Sequence, residues 1–379
     1  MLTGSAAKSG IRTVGTIRAV DPTAWDRLAG ANPLLGHGWL RTTEDEWIED
    51  VERVYFLLES DGCLVAAAAC YIDGAGASAE TVDDLLFGRL RSTVLGRVLS
   101  LRPALVCGFP WSVGPGCFTE ADASDTRRSE LLGLLLDAIA RESLRRKCST
   151  VFMSVTDNEG PLACLLRVHG YDAVRHEPIY VLDLEWPSFD AYWRALTSRN
   201  IRKNIRRELN RNRKLGVVIS DLAAPAVFEA RLREIVEGHY RRYGWPVFPY
   251  RQGWFQALRE SLGSEAIIAV ASRDDTIVAV AVSLRKQGTC QMILACVDYA
   301  AAGDDLSHFN LSYYWPVGEC IRRGDRRYAV GPGQHTSRTR RGYTPLDSYI
   351  YCRPPGPVRR LAIRAWLRVL SAWLRRKAG

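Results

Sequence analysis

A histidine and a glutamate occupy one predicted helix face late in the sequence. His308 precedes the aromatic pair Tyr313 and Tyr314, and Glu319 follows His308 by eleven residues, which is about three helical turns. A histidine titrates near neutral pH and can take a proton from a nucleophile. We predict His308 as a general base and Glu319 as a second one, with one tyrosine in the core and the other lining a cleft. A His with local hydrogen bonds and an exposed Glu are the alternative.

A second group of candidate residues lies in the loop before the predicted last strand. Arg341 can grip a phosphate or stabilise an oxyanion, and the hydroxyl of Tyr343 can protonate a leaving group. Gly331 and Gly333 would let backbone N–H groups approach a ligand. A surface arginine, a packed tyrosine and a tight turn are the alternative interpretations.

A strongly basic helix is predicted over residues 199–214, which hold eight Lys/Arg and one Glu. Ser198 is a good N-cap, and Ile201, Ile205 and Leu209 form one apolar stripe. Clustered cations suit a phosphate-rich partner, and a solvated helix face is the alternative. The cations predicted to contact phosphates are Arg199, Arg202, Lys203, Arg206, Arg207 and Arg211.

A second basic segment, residues 359–377, holds seven Lys/Arg and no acid. The breaker Pro354-Pro355-Gly356-Pro357 separates it from the rest of the chain. Apolar residues such as Leu361 and Trp366 alternate with its arginines, so residues 358–377 are predicted to touch a membrane surface or RNA. Docking on its own domain is the alternative. The net charge of +9 therefore belongs to two short segments.

Composition indicates a globular protein, with 379 residues and 47% hydrophobic residues. The ten cysteines include no CxxC pair, and no HxxxH or HExxH occurs, so we expect buried reduced thiols and no metal site. We see neither the apolar core of a signal peptide at the start nor an apolar run of 18 residues. These features predict a cytoplasmic location.

Alternating helices and strands predict an α/β (α+β) fold in two units. We place the first unit at residues 1–184, the second at 185–353 and the basic helix at 354–379. Each unit has the same order: helices, a hairpin of long strands, a helix, a strand, a loop and a final strand. Asp61-Gly62 is predicted to form a hairpin turn, residues 81–98 and 306–323 are predicted to form helices, and residues 180–184 and 348–352 are predicted to form the last strand of each unit. The shared order hints at a duplicated domain.

The second half resembles a known family. Its members show His-Phe before an aromatic-rich helix, a short strand ending in Gly, a loop His and an Arg-Gly-aromatic step, which correspond here to His308-Phe309, Gly331, His335 and Arg341-Gly342-Tyr343. This pattern resembles the FemAB-like N-acyltransferases of the GNAT superfamily. The stretches that carry it are HYRRYGWPVFPYRQGWFQAL (239–258), HFNLSYYWPVGECIRRGDRRYAVGPGQH (308–335) and RRGYTPLDSYIY (340–351), with looser matches at 32–45 and 106–116.

The resemblance implies two tandem GNAT-like domains with a cleft between them, which we expect Arg202 and Arg341 to flank. It further implies transfer of an acyl group from acyl-CoA or aminoacyl-tRNA to a small-molecule or cell-wall amine. Tyr313, Tyr314, Gly331, Gly333 and His335 would then contact substrate.

The loop expected to hold the pyrophosphate of CoA corresponds to residues 298–305, which contain one Gly and three acids. Acids repel pyrophosphate, so aminoacyl-tRNA is the favoured donor, with no tightly bound cofactor. Acyl-CoA is the alternative donor. A non-catalytic RNA- or membrane-binding protein on the same scaffold is the third hypothesis.

Overall fold

The computed structural model describes residues 9–49, 51–74, 81–108, 114–156, 160–245, 247–303 and 305–378. The loosely matching stretch 106–116 therefore lies partly outside the described residues, as does Asp304 of the acidic loop.

Fifteen α-helices and thirteen β-strands make up the described chain. The helices are α1 Pro22–Ala29, α2 His37–Glu46, α3 Val82–Phe87, α4 Val94–Leu99, α5 Asp125–Arg145, α6 Pro161–Val168, α7 Phe189–Ala195, α8 Arg199–Lys214, α9 Glu229–Tyr243, α10 Trp254–Leu262, α11 Tyr299–Ala302, α12 Ser307–Phe309, α13 Trp315–Arg322, α14 His335–Thr339 and α15 Pro357–Ala378. The strands are β1 Ser9–Val14, β2 Arg53–Ser60, β3 Cys63–Asp73, β4 Ala104–Cys107, β5 Cys117–Thr119, β6 Ser149–Val155, β7 Asp172–Asp183, β8 Val218–Asp221, β9 Ala266–Arg273, β10 Thr276–Lys286, β11 Thr289–Val297, β12 Arg327–Val330 and β13 Thr344–Arg353.

The strands form one sheet in the order β1-β2-β3-β4-β6-β13-β7-β12-β11-β10-β9-β8, with β5 paired to β3. This order is symmetric about the centre of the sheet. Reading it from the other end gives the same order, once each strand of one half is replaced by its counterpart in the other. The counterparts are β1 and β8, β2 and β9, β3 and β10, β4 and β11, β6 and β12, and β7 and β13. Each half contributes one parallel pair, β4 with β6 and β11 with β12. This symmetry confirms the predicted tandem α/β architecture.

Each half places its last strand beside the other half. β13 lies between β6 and β7, and β7 also pairs with β12. β7 and β13 are longer than predicted, and they pair antiparallel across the centre of the sheet, so that the first residues of each strand lie opposite the last residues of the other. A cut at 184/185 therefore separates strands that are hydrogen-bonded in the native sheet.

The two halves also share one hydrophobic core. Trp25 and Tyr55 of the first half belong to the same buried cluster as Trp254, Ile268 and Val280 of the second. The first half alone would expose part of this apolar surface to water.

The hairpin predicted at Asp61-Gly62 joins β2 and β3. Both turn residues have positive φ, 51° and 77°, as a two-residue hairpin turn requires. The predicted helix over residues 81–98 is divided instead. Gly88, with φ of 49°, ends α3, and the Thr93 side chain caps a new helix, α4, after a 3-10 turn.

Candidate active site

The predicted helix over residues 306–323 contains a π-helical turn, Asn310–Tyr314, between α12 and α13. Pro316 has no N–H, so it cannot bond the carbonyl of Ser312 four residues earlier. The Tyr328 hydroxyl instead donates to that carbonyl at 3.4 Å. π-turns of this kind occur frequently at functional sites.

The π-turn changes the predicted placement of its two tyrosines. Tyr313 and Tyr314 are both 2% exposed, whereas an ordinary helix was expected to leave one of them facing a cleft. Tyr313 donates a hydrogen bond to Gln334 Oε1 at 2.8 Å, and Tyr314 donates to Glu208. The wider turn therefore points both rings inward, each toward a different neighbouring element.

Arg341 is enclosed, whereas the sequence had led us to expect it beside an open groove opposite Arg202. Its Nε and Nη2 atoms donate to the Tyr314 hydroxyl at 3.0 and 2.8 Å, and Nη2 donates to Glu208 at 3.2 Å. The side chains of Arg341 and Glu208 are only 7% and 8% exposed. This buried ion pair is compensated within the protein, which favours a positioning role over the predicted direct grip on phosphate.

Aromatic rings complete the enclosure of Arg341. The rings of Phe309 and Tyr313 lie 5.1 and 4.8 Å from its guanidinium carbon. Nη1 donates to the Ser337 carbonyl at 3.0 Å, which fixes α14 to the same group. Arg341 thus joins the π-turn, α8 and α14.

Two site residues on α8 were missed by the sequence analysis. Glu208 and Asn212 are buried, and they continue the apolar stripe of Ile201 and Ile205 at helical spacing. Asn212 donates to the Asp305 carbonyl and accepts from the Asn310 side chain at 2.9 Å. The signal available was the single acid of the basic segment lying in line with the buried isoleucines.

His308 is held neutral beside this network. Burial and the nearby charges of His239, Arg341 and Arg338 lower the pKa of His308 to about 4. Within the described part of the chain, its Nδ1 atom is buried and has no hydrogen-bond partner. The imidazole is therefore unprotonated at neutral pH and has a free ring nitrogen for a ligand.

Further buried polar atoms around the π-turn lack a partner among the described residues: Asp305 Oδ2, Ser307 Oγ, Ser312 Oγ and the Tyr343 hydroxyl. Tyr343 is 2% exposed, and burial raises its pKa well above the usual value, so the hydroxyl stays protonated. Most buried polar groups in proteins are hydrogen-bonded. Such a concentration of unpaired groups is typical of a site that receives a ligand or ordered water.

The loop after β12 is tied to the π-turn. Gly331 accepts a hydrogen bond from Arg338 through its carbonyl, and Gly333 has φ of 92°, a conformation that favours glycine. His335 was predicted to lie in a loop but starts α14, where its Nδ1 atom lies 2.9 Å from the Tyr180 hydroxyl. With Gln334 bonded to Tyr313, the loop is fixed at the edge of the site.

The structure does not bring Glu319 to these residues. Its carboxylate accepts from Arg322 at 2.9 and 2.6 Å and also from Arg323, and these bonds lower its pKa. Arg323 extends the network to Asp221. The inserted π-turn residue rotates Glu319 away from the face predicted to carry His308, and its contacts are those of a structural ion pair.

The cations of α8 lie mostly on its exposed side. Arg202 is occupied, since it donates to the carbonyls of Leu196 and Thr197, and Arg206 lies 5.4 Å above the Trp193 ring. Arg199, Lys203, Arg206 and Arg207 are exposed, while Arg211 is half-buried. The buried face of α8 thus builds the site and the outer face carries positive charge.

The acidic loop already uses the backbone groups that could hold a pyrophosphate. The Asp298 carboxylate accepts from the N–H groups of Ala300 and Ala301 at 3.0 and 3.1 Å and pairs with Arg231. Asp305 accepts from the Ser307 N–H at 2.8 Å. Within the loop, the Asp298 carboxylate therefore occupies two of the backbone N–H donors.

Among the described residues, no group of three His, Cys, Asp or Glu side chains could hold a metal ion. No helix in the described part of the chain combines the length and apolar character needed to cross a membrane.

Residues 16–377 match the FemAB-like family, described as peptidoglycan biosynthesis/recognition. No curated protein matches the chain.

Several solved structures share the fold at low sequence identity. L-PGS from Bacillus licheniformis superposes with a TM-score of 0.58 and 13% identity, covering 93% of this chain and 97% of that one. FemX gives 0.56 and 10%, covering 90% and 96%. A tandem GNAT protein from the clavulanic acid biosynthesis pathway gives 0.52 and 13%, covering 92% and 99%. The architecture is therefore that of tandem GNAT proteins over nearly the whole chain.

Proposed function

The chain belongs to the FemAB-like family, and from that premise we propose that it is an N-acyltransferase that moves an aminoacyl group from aminoacyl-tRNA to an amine. The acceptor would be a cell-wall precursor or a small natural-product amine. The observation that carries the proposal is the neutral His308, which has a free ring nitrogen and is close enough to Arg338 and Arg341 to feel their charge. The ring of Tyr343, whose buried hydroxyl is also unpaired, lies 6.0 Å from the Tyr313 ring of the same π-turn.

Aminolysis of an ester needs a neutral amine, a closely held carbonyl and stabilisation of the oxyanion. In the proposed reaction the amine nitrogen attacks the ester carbonyl carbon, and His308 takes the proton that the nitrogen loses. The bond from the carbonyl carbon to the ribose oxygen then breaks, and the Tyr343 hydroxyl donates a proton to that oxygen. The proton on His308 restores the tyrosine, so the products are an amide and uncharged tRNA.

Arg341 acts in this scheme as a fixed positive charge. Glu208 and Tyr314 hold its guanidinium in place, so it needs no reorganisation when negative charge develops on the carbonyl oxygen. Burial, together with the charges of Arg341 and Arg338, keeps His308 unprotonated before the donor arrives. A donor phosphate near Arg338 would offset their effect and raise the basicity of His308 when substrate is bound.

Two features favour tRNA over CoA as the donor. The N–H groups of Ala300 and Ala301 are bonded to Asp298 and are unavailable to a pyrophosphate. The exposed cations of α8 suit a longer polyanion. Acyl-CoA is the second candidate donor, as the resemblance to the GNAT superfamily implies.

The test compares donors directly. Purified protein is incubated with a pool of tRNA charged with labelled amino acids and a panel of amines, and in parallel with a panel of acyl-CoA thioesters. We expect labelled amide only with charged tRNA. Amide formation from acyl-CoA without tRNA would establish the second candidate, and no product with either donor would favour the non-catalytic binding protein.

A further inference from the structure

Two neighbouring helices expose a group of aliphatic side chains. On α4, Val94, Leu95 and Val98 are 78%, 54% and 63% exposed. On α15, which contacts α4, the corresponding residues are Val358, Leu361 and Val369, at 81%, 72% and 61%. We call these six side chains the α4–α15 surface. Exposed apolar patches on soluble proteins commonly mark interaction sites.

The opposite face of α15 is firmly packed. Ile363 and Leu367 are 1% and 3% exposed in a core that includes Phe87 and Leu101. Arg364 pairs with Asp172 at 2.8 Å. The helix is therefore docked on its own domain, which was the alternative interpretation of the sequence.

α15 nevertheless carries a second apolar stripe that this docking does not use. Val358, Leu361, Ala365 and Val369 follow one another at intervals of three or four residues and are all exposed. Since the inner stripe already holds the helix, the outer stripe is free for another partner.

The charge around this surface is positive. Residues 357–378 contain seven Lys/Arg and no acid. Two acids of neighbouring elements are already paired, Asp84 with Arg91 and Asp172 with Arg364. A second copy of the chain docked here would bring two surfaces of net positive charge together, which opposes self-association.

We propose that the α4–α15 surface binds the face of an anionic phospholipid bilayer. The aliphatic side chains enter the boundary between headgroups and acyl chains, and the flanking arginines contact lipid phosphates. A nucleic acid would satisfy the cations but would leave the aliphatic side chains in water. This proposal does not depend on acyl transfer. The sequence of the C-terminal segment alone does not reveal the part of the surface that α4 contributes.

The test is cosedimentation of the full chain with vesicles of phosphatidylcholine alone or mixed with phosphatidylglycerol. We expect binding to the mixed vesicles that weakens with added salt. The double variant Val94→Glu/Leu361→Glu should raise the lipid concentration for half-maximal binding at least tenfold. The control, Val227→Glu, changes an equally exposed valine (75%) outside the surface and should bind as wild type.

Unchanged urea midpoints would show that the variants are folded, as expected for exposed positions. The proposal is overturned if wild type does not bind the mixed vesicles, whether or not it dimerises or binds RNA. It is also overturned if the double variant binds as wild type or if Val227→Glu loses binding equally. Amide-forming activity is not needed for any of these outcomes.

Discussion

Among single residues, Arg341 has the most demanding environment. Its charge is buried with Glu208 and bonded to Tyr314. The resemblance to a family drew attention to Arg341, but no sequence pattern predicted its pairing with Glu208, because 133 residues separate them and the pair forms only when α8 packs on the π-turn. Residue types were thus predictable, whereas their partners depended on tertiary packing.

Removing the arginine should destabilise the protein strongly. Arg341→Met leaves a buried carboxylate without its counter-charge, which costs about 3–5 kcal/mol of unfolding free energy. Urea unfolding followed by tryptophan fluorescence measures this change. The matched control is Arg340→Met, since Arg340 is exposed. The double variant Arg341→Met/Glu208→Leu should lose less than Arg341→Met alone; equal midpoints for Arg341→Met and Arg340→Met would refute a structural role for the pair.

His308 should make stability depend on pH. Its folded pKa of about 4 lies below its ordinary value, so between these two values the unfolded chain binds a proton that the folded chain does not. Stability is therefore lost as pH falls below about 6.5, by about 2 kcal/mol at pH 5. His308→Gln should abolish that part of the decline between pH 7 and pH 5. If wild type and variant decline in parallel in urea titrations, His308 has no lowered pKa.

At the scale of elements, most helices and strands were predictable from apolar periodicity and turn residues. The hairpin turn at Asp61-Gly62 is an example. The π-turn was not, because an inserted residue leaves no mark on a pattern of three- and four-residue spacings, and Pro316 was the one local sign. The π-turn places both Tyr313 and Tyr314 inside, where one of them was predicted to line a cleft, and it places Glu319 away from His308.

The loop after β12 offers a matched pair of glycine substitutions. Gly333→Ala places a side chain at φ of 92° and should cost on the order of 1 kcal/mol or more, because that conformation is strained for any residue with a Cβ. Gly331→Ala meets no atom within 4 Å and should leave stability nearly unchanged. Thermal unfolding of both variants checks this order, and equal losses would contradict it.

The turnover of the Gly331→Ala variant tests a second property, which is how closely a ligand approaches the backbone of this loop. If a ligand approaches the backbone at Gly331, Gly331→Ala should lower turnover while the protein remains as stable as wild type. Full activity of a stable Gly331→Ala protein would show that the substrate does not pass close to that position.

For the whole molecule, the duplicated order of elements was visible in the sequence, but the exchange of β7 and β13 was not. Local sequence patterns do not specify which half a strand joins, since the sheet edge of either half can accept the same antiparallel strand. The shared core around Trp25 and Trp254 reinforces this exchange. The halves should therefore fold as one unit.

Cutting the chain tests that unity. Fragment 1–184 lacks β13, so β6 and β7 lose their common neighbour. We expect it to be unfolded or aggregated by circular dichroism when expressed alone. Coexpression with 185–379 should yield a soluble complex. A folded, monomeric fragment 1–184 would contradict the prediction.

The central claim is that aminoacyl transfer takes place at the π-turn. The most direct test measures, in a single turnover, how fast the Tyr343→Phe variant transfers a labelled aminoacyl group from tRNA to an amine. The Tyr343 hydroxyl has no partner among the described residues, so its removal should leave stability unchanged while slowing transfer about a hundredfold or more. Tyr171→Phe, in a buried tyrosine of the other half, should transfer at the wild-type rate. Transfer by Tyr343→Phe at the wild-type rate would contradict the account.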